Sequence, residues 1–453
     1  MNKHVILLNI VGLEKSHIEK NFLPHICEMI KEGEYSNLDT VFPAVTCTTQ
    51  ASILSGSYPS EHGIISNGLF DRSRYEVSFW EQSSSLVQRP RAFDLIKNNT
   101  ESITTAMLFW QNSLYANSDI VMTPKPLHFD DGMVMWCYSK PAGYYEKLAE
   151  EIGEFNLTTY WGPFASSKSS QWIMDSTIAT IKKYKPNLLM SYIPHIDYSA
   201  QRFGKNSSQV LNDLKKADEL VGNLIDVCKQ INIYDETRII IFSDYGFNDV
   251  NDAIPLNKIL RDNNLLSVRT IKNKEYLDLE NSIAFAMVDH QIAHIYIKPK
   301  TNEVIISKVK HLLENVSGID IVLDNKEKQI QNIDHERSGE LIAVSNNDKW
   351  FSYYWWNEND KAPNFTKTVD IHRKPGYDPL ELFLDPTTKT IPYDTSLIKG
   401  SHGRPSNIFP SDNNDQIYIS NRKTELLNKN KSNNGKNNPI NIVDLGKHII
   451  KLF

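Results

Sequence analysis

Several features that would settle a chain's class at a glance are scarce in these 453 residues, and each shortage excludes something. The four cysteines, Cys27, Cys47, Cys137 and Cys228, stand singly with no C-x-x-C pair, so neither a disulfide scaffold nor a thiolate zinc cluster is written into the chain. A reducing cytoplasm is the compartment that fits. No apolar run approaches the roughly 18 residues of a membrane-spanning helix. The opening residues run straight from Met1 into a strand-like segment, which leaves no signal peptide to expect. Lys and Arg number 49 against 55 Asp and Glu, a net charge of -6 with the signs mixed, and this gives no footprint for bulk nucleic-acid binding. Neither Gly-x-x-x-x-Gly-Lys-Ser/Thr nor Gly-x-Ser-x-Gly is evident, so P-loop and nucleophile-elbow readings lack support.

What is present has an α/β rhythm. Apolar runs of strand length alternate with longer helical patterns: 4–10 then 14–32, 104–110 then 143–155, 187–193 then 207–231, and finally 238–242. That alternation predicts parallel strands joined by crossover helices, with the ligand crevice beyond the carboxyl ends of the strands. From 253 to 396 the pattern changes to mixed short strands and helices with an aromatic run at 351–356, which predicts an inserted mixed α+β lobe or cap. The core is then 1–252 plus 397–453. The run 428–438 contains only Asn, Lys, Ser and Gly and reads as a flexible linker. Val443, Leu445, Ile449, Ile450 and Phe453 beyond it fit a short amphipathic helix docking on the core.

The chemistry-bearing residues gather at strand ends. In Val41-Phe-Pro-Ala-Val-Thr46, Thr46 closes an extended segment and opens a helix, where the unpaired amides of a first turn favour a phosphoryl group. Asn67 follows a polar turn and is expected to donate its amide to a phosphoryl oxygen without being needed for the fold. Asp197 follows Met190-Ser-Tyr-Ile-Pro194-His195-Ile196, and Asp244 follows Ile239-Ile-Ile-Phe-Ser243, so two further strand ends carry carboxylates. Asn9 shares a strand face with Val11, and His195 lies two residues before Asp197. His290 and His294 occur close together, as do Asp370, His372, Arg373, Lys374 and Asp378.

These segments resemble the nucleotide pyrophosphatase/phosphodiesterase family (type I phosphodiesterases) of the alkaline phosphatase superfamily, as a divergent member. In that family a Thr is followed at fixed offsets by Gly, Tyr-Pro, His-Gly-Ile and Asn. Here those places hold Thr46, Gly56, Tyr58-Pro59, His62-Gly63-Ile64 and Asn67. The family's metal-binding aspartates match Asp197 and Asp244, and its last His-Gly matches His402-Gly403. Two family histidines are Gln201 and Tyr245 here, and an N-terminal Asp-Gly is Val11-Gly12. Cys47 is followed by Thr-Thr-Gln-Ala rather than the sulfatase pattern Cys-x-Pro-x-Arg, which disfavours that branch of the superfamily.

The resemblance implies an alkaline-phosphatase-like three-layer α/β/α sandwich with a mostly parallel sheet. It also implies a metal-dependent hydrolase that cleaves a phosphodiester or pyrophosphate bond in a small phosphorylated substrate through a phospho-threonine intermediate. Two divalent ions are expected, zinc first and manganese or magnesium as alternatives. Asp197, Asp244 and His402 are their expected ligands, supplemented by Asn9, His195 and His290. Arg202, Lys168 and Arg373, with Lys374 and Arg404 near the same motifs, are candidates to meet the outer phosphate or leaving group. A phosphonate hydrolase or phosphomonoesterase of the same superfamily is the nearest rival. The losses at Val11, Gln201 and Tyr245 favour a third reading, a degenerate member that binds a phospho-ligand without turnover.

Overall fold

The computed structural model describes residues 3–99, 103–130, 132–429 and 438–453. The strand His4–Ile10 is buried at all seven positions, as a strand covered on both faces must be. Its residues divide by parity. Ile6, Leu8 and Ile10 enter one apolar cluster, shared with Ile173, Leu214, Val221 and Ile26 from helices on one side. Val5 and Leu7 enter another, shared with Ile53, Leu54, Phe93 and Leu445 from helices on the opposite side. The period-two pleat thus produces three layers, helix on sheet on helix.

Among the described residues the sheet has nine strands, in the order Ile440–Asn441, Glu34–Asp39, Ile417–Ser420, Thr237–Phe242, His4–Ile10, Leu188–Ile193, Thr105–Leu108, Ile120–Pro124 and Cys137–Lys140. The five consecutive strands from Thr237–Phe242 to Ile120–Pro124 run parallel. Ile417–Ser420 pairs antiparallel with both of its neighbours, and Cys137–Lys140 is an antiparallel edge. Asn9 lies level with Tyr192 on one side and Phe242 on the other, so the segments that follow these strands, beginning at Val11, Pro194 and Ser243, share one end of the sheet.

The expected helix over 14–32 is two helices, Lys15–Glu19 and Pro24–Glu32, interrupted at Asn21 with φ 51° and restarted by Pro24 at the first helical turn. A second, antiparallel sheet follows the core, in the order Ala284–Asp289, Ile292–Ile297, Leu341–Ser345 and Ile319–Leu323. His290 sits at the tip of its first hairpin with φ 59°, so it does not share a helical face with His294. This sheet's apolar cluster includes Phe42, Ile65, Phe70 and Phe79 from the segments flanking Thr46 and Asn67. Most of the expected linker at 428–438 lies outside the described residues, and its first two residues close the helix Glu425–Lys429.

The terminal helix Ile442–Ile450 docks on Thr46–Ser55. The contact is close because Gly446 has no side chain: a Cβ there would stand 2.2 Å from the Ile53 carbonyl oxygen. Gly446→Ala is therefore expected to lower stability by about 1–3 kcal/mol through forced separation of the two helices, read as a reduced urea midpoint. An unchanged midpoint would show that the terminal helix is not pressed onto the Thr46 helix.

Candidate active site

Thr46 is the first residue of the helix Thr46–Ser55, after Val45 in an extended conformation that supplies no side-chain cap. Asn67 takes over part of that task, since its Oδ1 accepts the Cys47 amide at 3.0 Å. The Thr46 hydroxyl is buried, 1% exposed, and donates to the Tyr245 phenol oxygen at 3.4 Å. Tyr245 in turn donates to Asp197 Oδ1 at 3.1 Å. The other Asp197 oxygen accepts Gln201 Nε2 at 2.5 Å, one helical turn along His195–Phe203. Gln201 Oε1 accepts the Tyr377 hydroxyl at 2.9 Å.

The rings of these tyrosines belong to a continuous stack. Tyr245 lies on His402 with centroids 3.5 Å apart and planes 7° from parallel. His402 lies 3.6 Å from His290, and His290 lies 3.8 Å from Tyr377. The stack and the hydrogen bonds therefore close a loop that runs from Asp197 through Tyr245, His402, His290, Tyr377 and Gln201 back to Asp197.

Electrostatics follow from burial. Asp197 is pushed up to about 7 by loss of solvent, which the hydrogen bonds from Tyr245 and Gln201 only partly offset. Asp244 is pushed up to about 8, again mainly by burial, which the Asn9 side chain and nearby backbone amides only partly offset, and neither carboxyl oxygen makes a close, well-aligned hydrogen bond. His402 is driven down to about 3 by burial, so its ring is neutral. Its Nδ1 lies 3.0 Å from the Ala44 carbonyl and must carry the proton there, leaving an unpartnered Nε2 at 3.8 Å from Asp197 Oδ1.

Of the residues expected from sequence, Thr46, Asp197 and His402 come together, and Asp244 stands on the turn after Thr237–Phe242, one residue before Tyr245 and close enough to Asp197 for their charges to interact. Several others have protein partners of their own. The Asn9 Oδ1 that would face a cation accepts Gln50 Nε2 at 2.7 Å. His195 Nε2 meets the Asp213 carbonyl at 2.9 Å, and His290 is sandwiched between two rings. Arg202 donates to the Ala165 and Tyr198 carbonyls, Arg373 is exposed and paired with Asp370, and Lys168 is exposed in the first turn of Ser167–Tyr184. Lys374 is buried between Asp378 and Glu381 at 2.7 Å from each, and Arg404 is bound by Asp412 and Asp320. Asn67 Nδ2 donates to Asp289 at 3.2 Å, so that amide is not idle.

Sequence reasoning missed Tyr377 and the structural part of Asp289, although both lie in segments with unusual histidine density. It read Gln201 and Tyr245 as losses, whereas both are bonded members of the site.

The expected pair of divalent ions does not fit this donor set. Val11 brings no oxygen and lies in the apolar cluster with Phe247. Gln201 donates its amide to one Asp197 oxygen while its own oxygen accepts from Tyr377, and the Tyr245 hydroxyl lies between Thr46 and the other Asp197 oxygen, so each Asp197 oxygen already has a protein donor. Among the described residues no three His, Cys, Asp or Glu side chains form a group able to hold a metal ion. The unpartnered atoms of Asp244 and His402 are the remainder of the ligand set.

The sequence profile of the type I phosphodiesterase/nucleotide pyrophosphatase family matches residues 5–378. Over 254 residues the chain is 27% identical to human ectonucleotide pyrophosphatase/phosphodiesterase family member 1, covering 55% of this chain and 24% of that protein. Over 284 residues it is 21% identical to an uncharacterised pyrophosphatase/phosphodiesterase of Schizosaccharomyces pombe, covering 60% of this chain and 49% of the other. It thus spans about half or less of the length of these relatives. Its fold is similar to that of murine ectonucleotide pyrophosphatase/phosphodiesterase 5, with a TM-score of 0.60 and 15% identity over 99% of this chain and 94% of the other. An inactive form of that protein has been solved with AMP. A further likeness is to phosphonoacetate hydrolase from Sinorhizobium meliloti 1021 with phosphonoformate, at a TM-score of 0.63 and 15% identity over 99% and 96% of the two chains.

Two outcomes are expected from these contacts. Asn67→Ala strands the Cys47 amide and removes a donor from buried Asp289, so it should cost roughly 1–3 kcal/mol of stability, contrary to the sequence-based expectation of a neutral fold effect. A urea midpoint equal to the parent chain's would refute this. For Asp244, the folded form keeps a proton up to about pH 8 while an unfolded carboxyl releases it near 3.8. Stability from this group is complete below the unfolded value and is lost as pH rises through about 8. Asp244→Asn should flatten that decline, measured as urea midpoints at acidic and alkaline pH.

Proposed function

Because the chain belongs to the type I phosphodiesterase/nucleotide pyrophosphatase family, a family of phosphoryl-bond hydrolases, we propose that it cleaves a phosphodiester or pyrophosphate bond in a small phosphorylated substrate, with Thr46 as the nucleophile. The observation that carries this reading is the buried Thr46 hydroxyl at a helix N-terminus, linked through Tyr245 to Asp197. Thr46 Oγ1 attacks phosphorus, the bond to the leaving oxygen breaks, and the threonine proton passes to Tyr245 as the Tyr245 proton passes to Asp197. Hydrolysis of the phospho-threonine by water returns the hydroxyl. Amides of the first helical turn, which have no partner within the helix, favour the anionic phosphoryl group.

The relay needs Asp197 deprotonated, and its value of about 7 puts that state within reach near neutrality. Divalent ions serve the family at large, where they activate the nucleophile and polarise the phosphoryl oxygens. The donor set of this chain supports no step through them.

The likeness over nearly the whole length to phosphonoacetate hydrolase supports a second reading, cleavage of a phosphonate, and the same assay tests it. The parent chain is offered the p-nitrophenyl ester of a nucleoside monophosphate, p-nitrophenyl phosphate, AMP-containing dinucleotides and phosphonoacetate. Turnover is expected on a diester or pyrophosphate. Thr46→Ala should lose roughly 10³-fold or more of it and Thr46→Ser should retain a part. An alanine variant as active as its parent ends the proposal, and turnover confined to phosphonoacetate selects the second reading. The pH profile of kcat/KM should rise through about 7, and Tyr245→Phe, which cuts the link to Asp197, should remove that limb.

A further inference from the structure

We propose that the loop of Asp197, Tyr245, His402, His290, Tyr377 and Gln201 is a built replacement for a two-ion centre, and that this chain holds its site together without tightly bound divalent metal. The departures from the family pattern at Gln201 and Tyr245 are not gaps. Gln201 supplies an amide to one Asp197 oxygen at 2.5 Å, and Tyr245 supplies a hydroxyl to the other at 3.1 Å. These are the acceptor positions that a cation would use, and they are filled by fixed donors.

Space is filled as well as charge. Tyr245 is buried and spans from the Thr46 hydroxyl to Asp197, and its ring face is covered by His402 at 3.5 Å. His290, from the hairpin tip of the second sheet, covers the other face of His402, and Tyr377 covers His290. The Tyr245 and His402 planes are within 7° of parallel, and the His402–His290 and His290–Tyr377 planes are tilted by 35° and 27°. Rings at these separations are in van der Waals contact, so side chains fill the volume beside Asp197. Val11 completes the change. A carboxylate at that position would need a counter-charge, whereas a valine buried in the apolar cluster needs none.

The proposal holds whether or not Thr46 turns a substrate over, so its test reads metal rather than activity. The full chain is produced in medium supplied with zinc and manganese, purified without chelator and analysed for bound elements. The expected content is below about 0.2 equivalents of either metal per chain, with a melting temperature that EDTA does not change. Restoring the donors together, Val11→Asp, Gln201→His and Tyr245→His, should raise bound zinc at least tenfold and make the melting temperature rise with added zinc. Should that combination not fold, Tyr245→His alone is expected to raise zinc above the parent level. One or more equivalents of metal on the parent chain, or an EDTA-induced drop in its melting temperature, overturns the proposal. A folded variant with restored donors that still holds no zinc overturns the assignment of the ring stack as the replacement.

Discussion

A buried carboxyl group cannot remain charged without partners, and the site is organised around how Asp197 meets that constraint. One oxygen is bound by Tyr245 and the other by Gln201, two side chains from the ends of different central strands. Tyr245 arrives on the turn after Thr237–Phe242, and Gln201 on the helix that follows Leu188–Ile193. The same tyrosine hydroxyl accepts from Thr46, so the nucleophile candidate, the strand ends and the carboxyl are joined by one atom. The ring stack then ties this atom to the second sheet through His290 and to the 377 region through Tyr377.

Charge balance explains why the substitutions belong together. Two divalent ions would bring four positive charges, and a site that gives them up must also shed negative ones. Val11 sheds one outright. Asp244 sheds its charge by protonation, with its value moved by burial to about 8, Asp197 is moved to about 7 and so still gives up its proton near neutrality, and Asp289 is moved to about 6 while accepting from Ser66 and Asn67. Neutral His402, bonded to Ala44, adds no positive charge. Replacing a single ligand would have left the others as uncompensated buried charges. The set is self-consistent only as a whole.

The parts of the structure legible in the sequence are those fixed by periodicity and local chain geometry. The strands at His4–Ile10 and Thr237–Phe242 are short runs of buried residues, and Thr46 stands at its helix start because an extended segment with Pro43 ends there. A parallel sheet covered on both faces follows from that rhythm, the alkaline-phosphatase-like sandwich is what the resemblance implied, and the likeness to solved structures bears it out. What stayed hidden depends on contacts far apart in sequence. Asn67 reads as a phosphoryl donor that the fold does not need until Asp289, 222 positions away, is seen to accept its amide. Arg202 reads as a free cation until the Ala165 carbonyl is placed beside it. Tyr245 reads as a lost histidine because nothing local shows that its hydroxyl has two partners. A motif records which positions face a site, and it does not record whether a substituted side chain builds something else there.

The scaffold tolerates such a change because the site is held from behind. Thr46–Ser55 is pinned by the terminal helix at Gly446, and the Ile53 and Leu54 side chains enter the same apolar cluster as Leu445 and Ile449. The hydroxyl-bearing end of the Thr46 helix is therefore positioned by packing on its far side, with the Cys47 amide held by Asn67 and Asn67 held by Asp289. Apolar burial is worth about 25 cal/mol per Å², and it acts without regard to what the Thr46 end of the helix binds. In a site assembled on metal ligands alone, removing ions would release the chain around them. Here each strand end is already anchored by the sheet register, so the donors could be exchanged while the backbone that carries them kept its place.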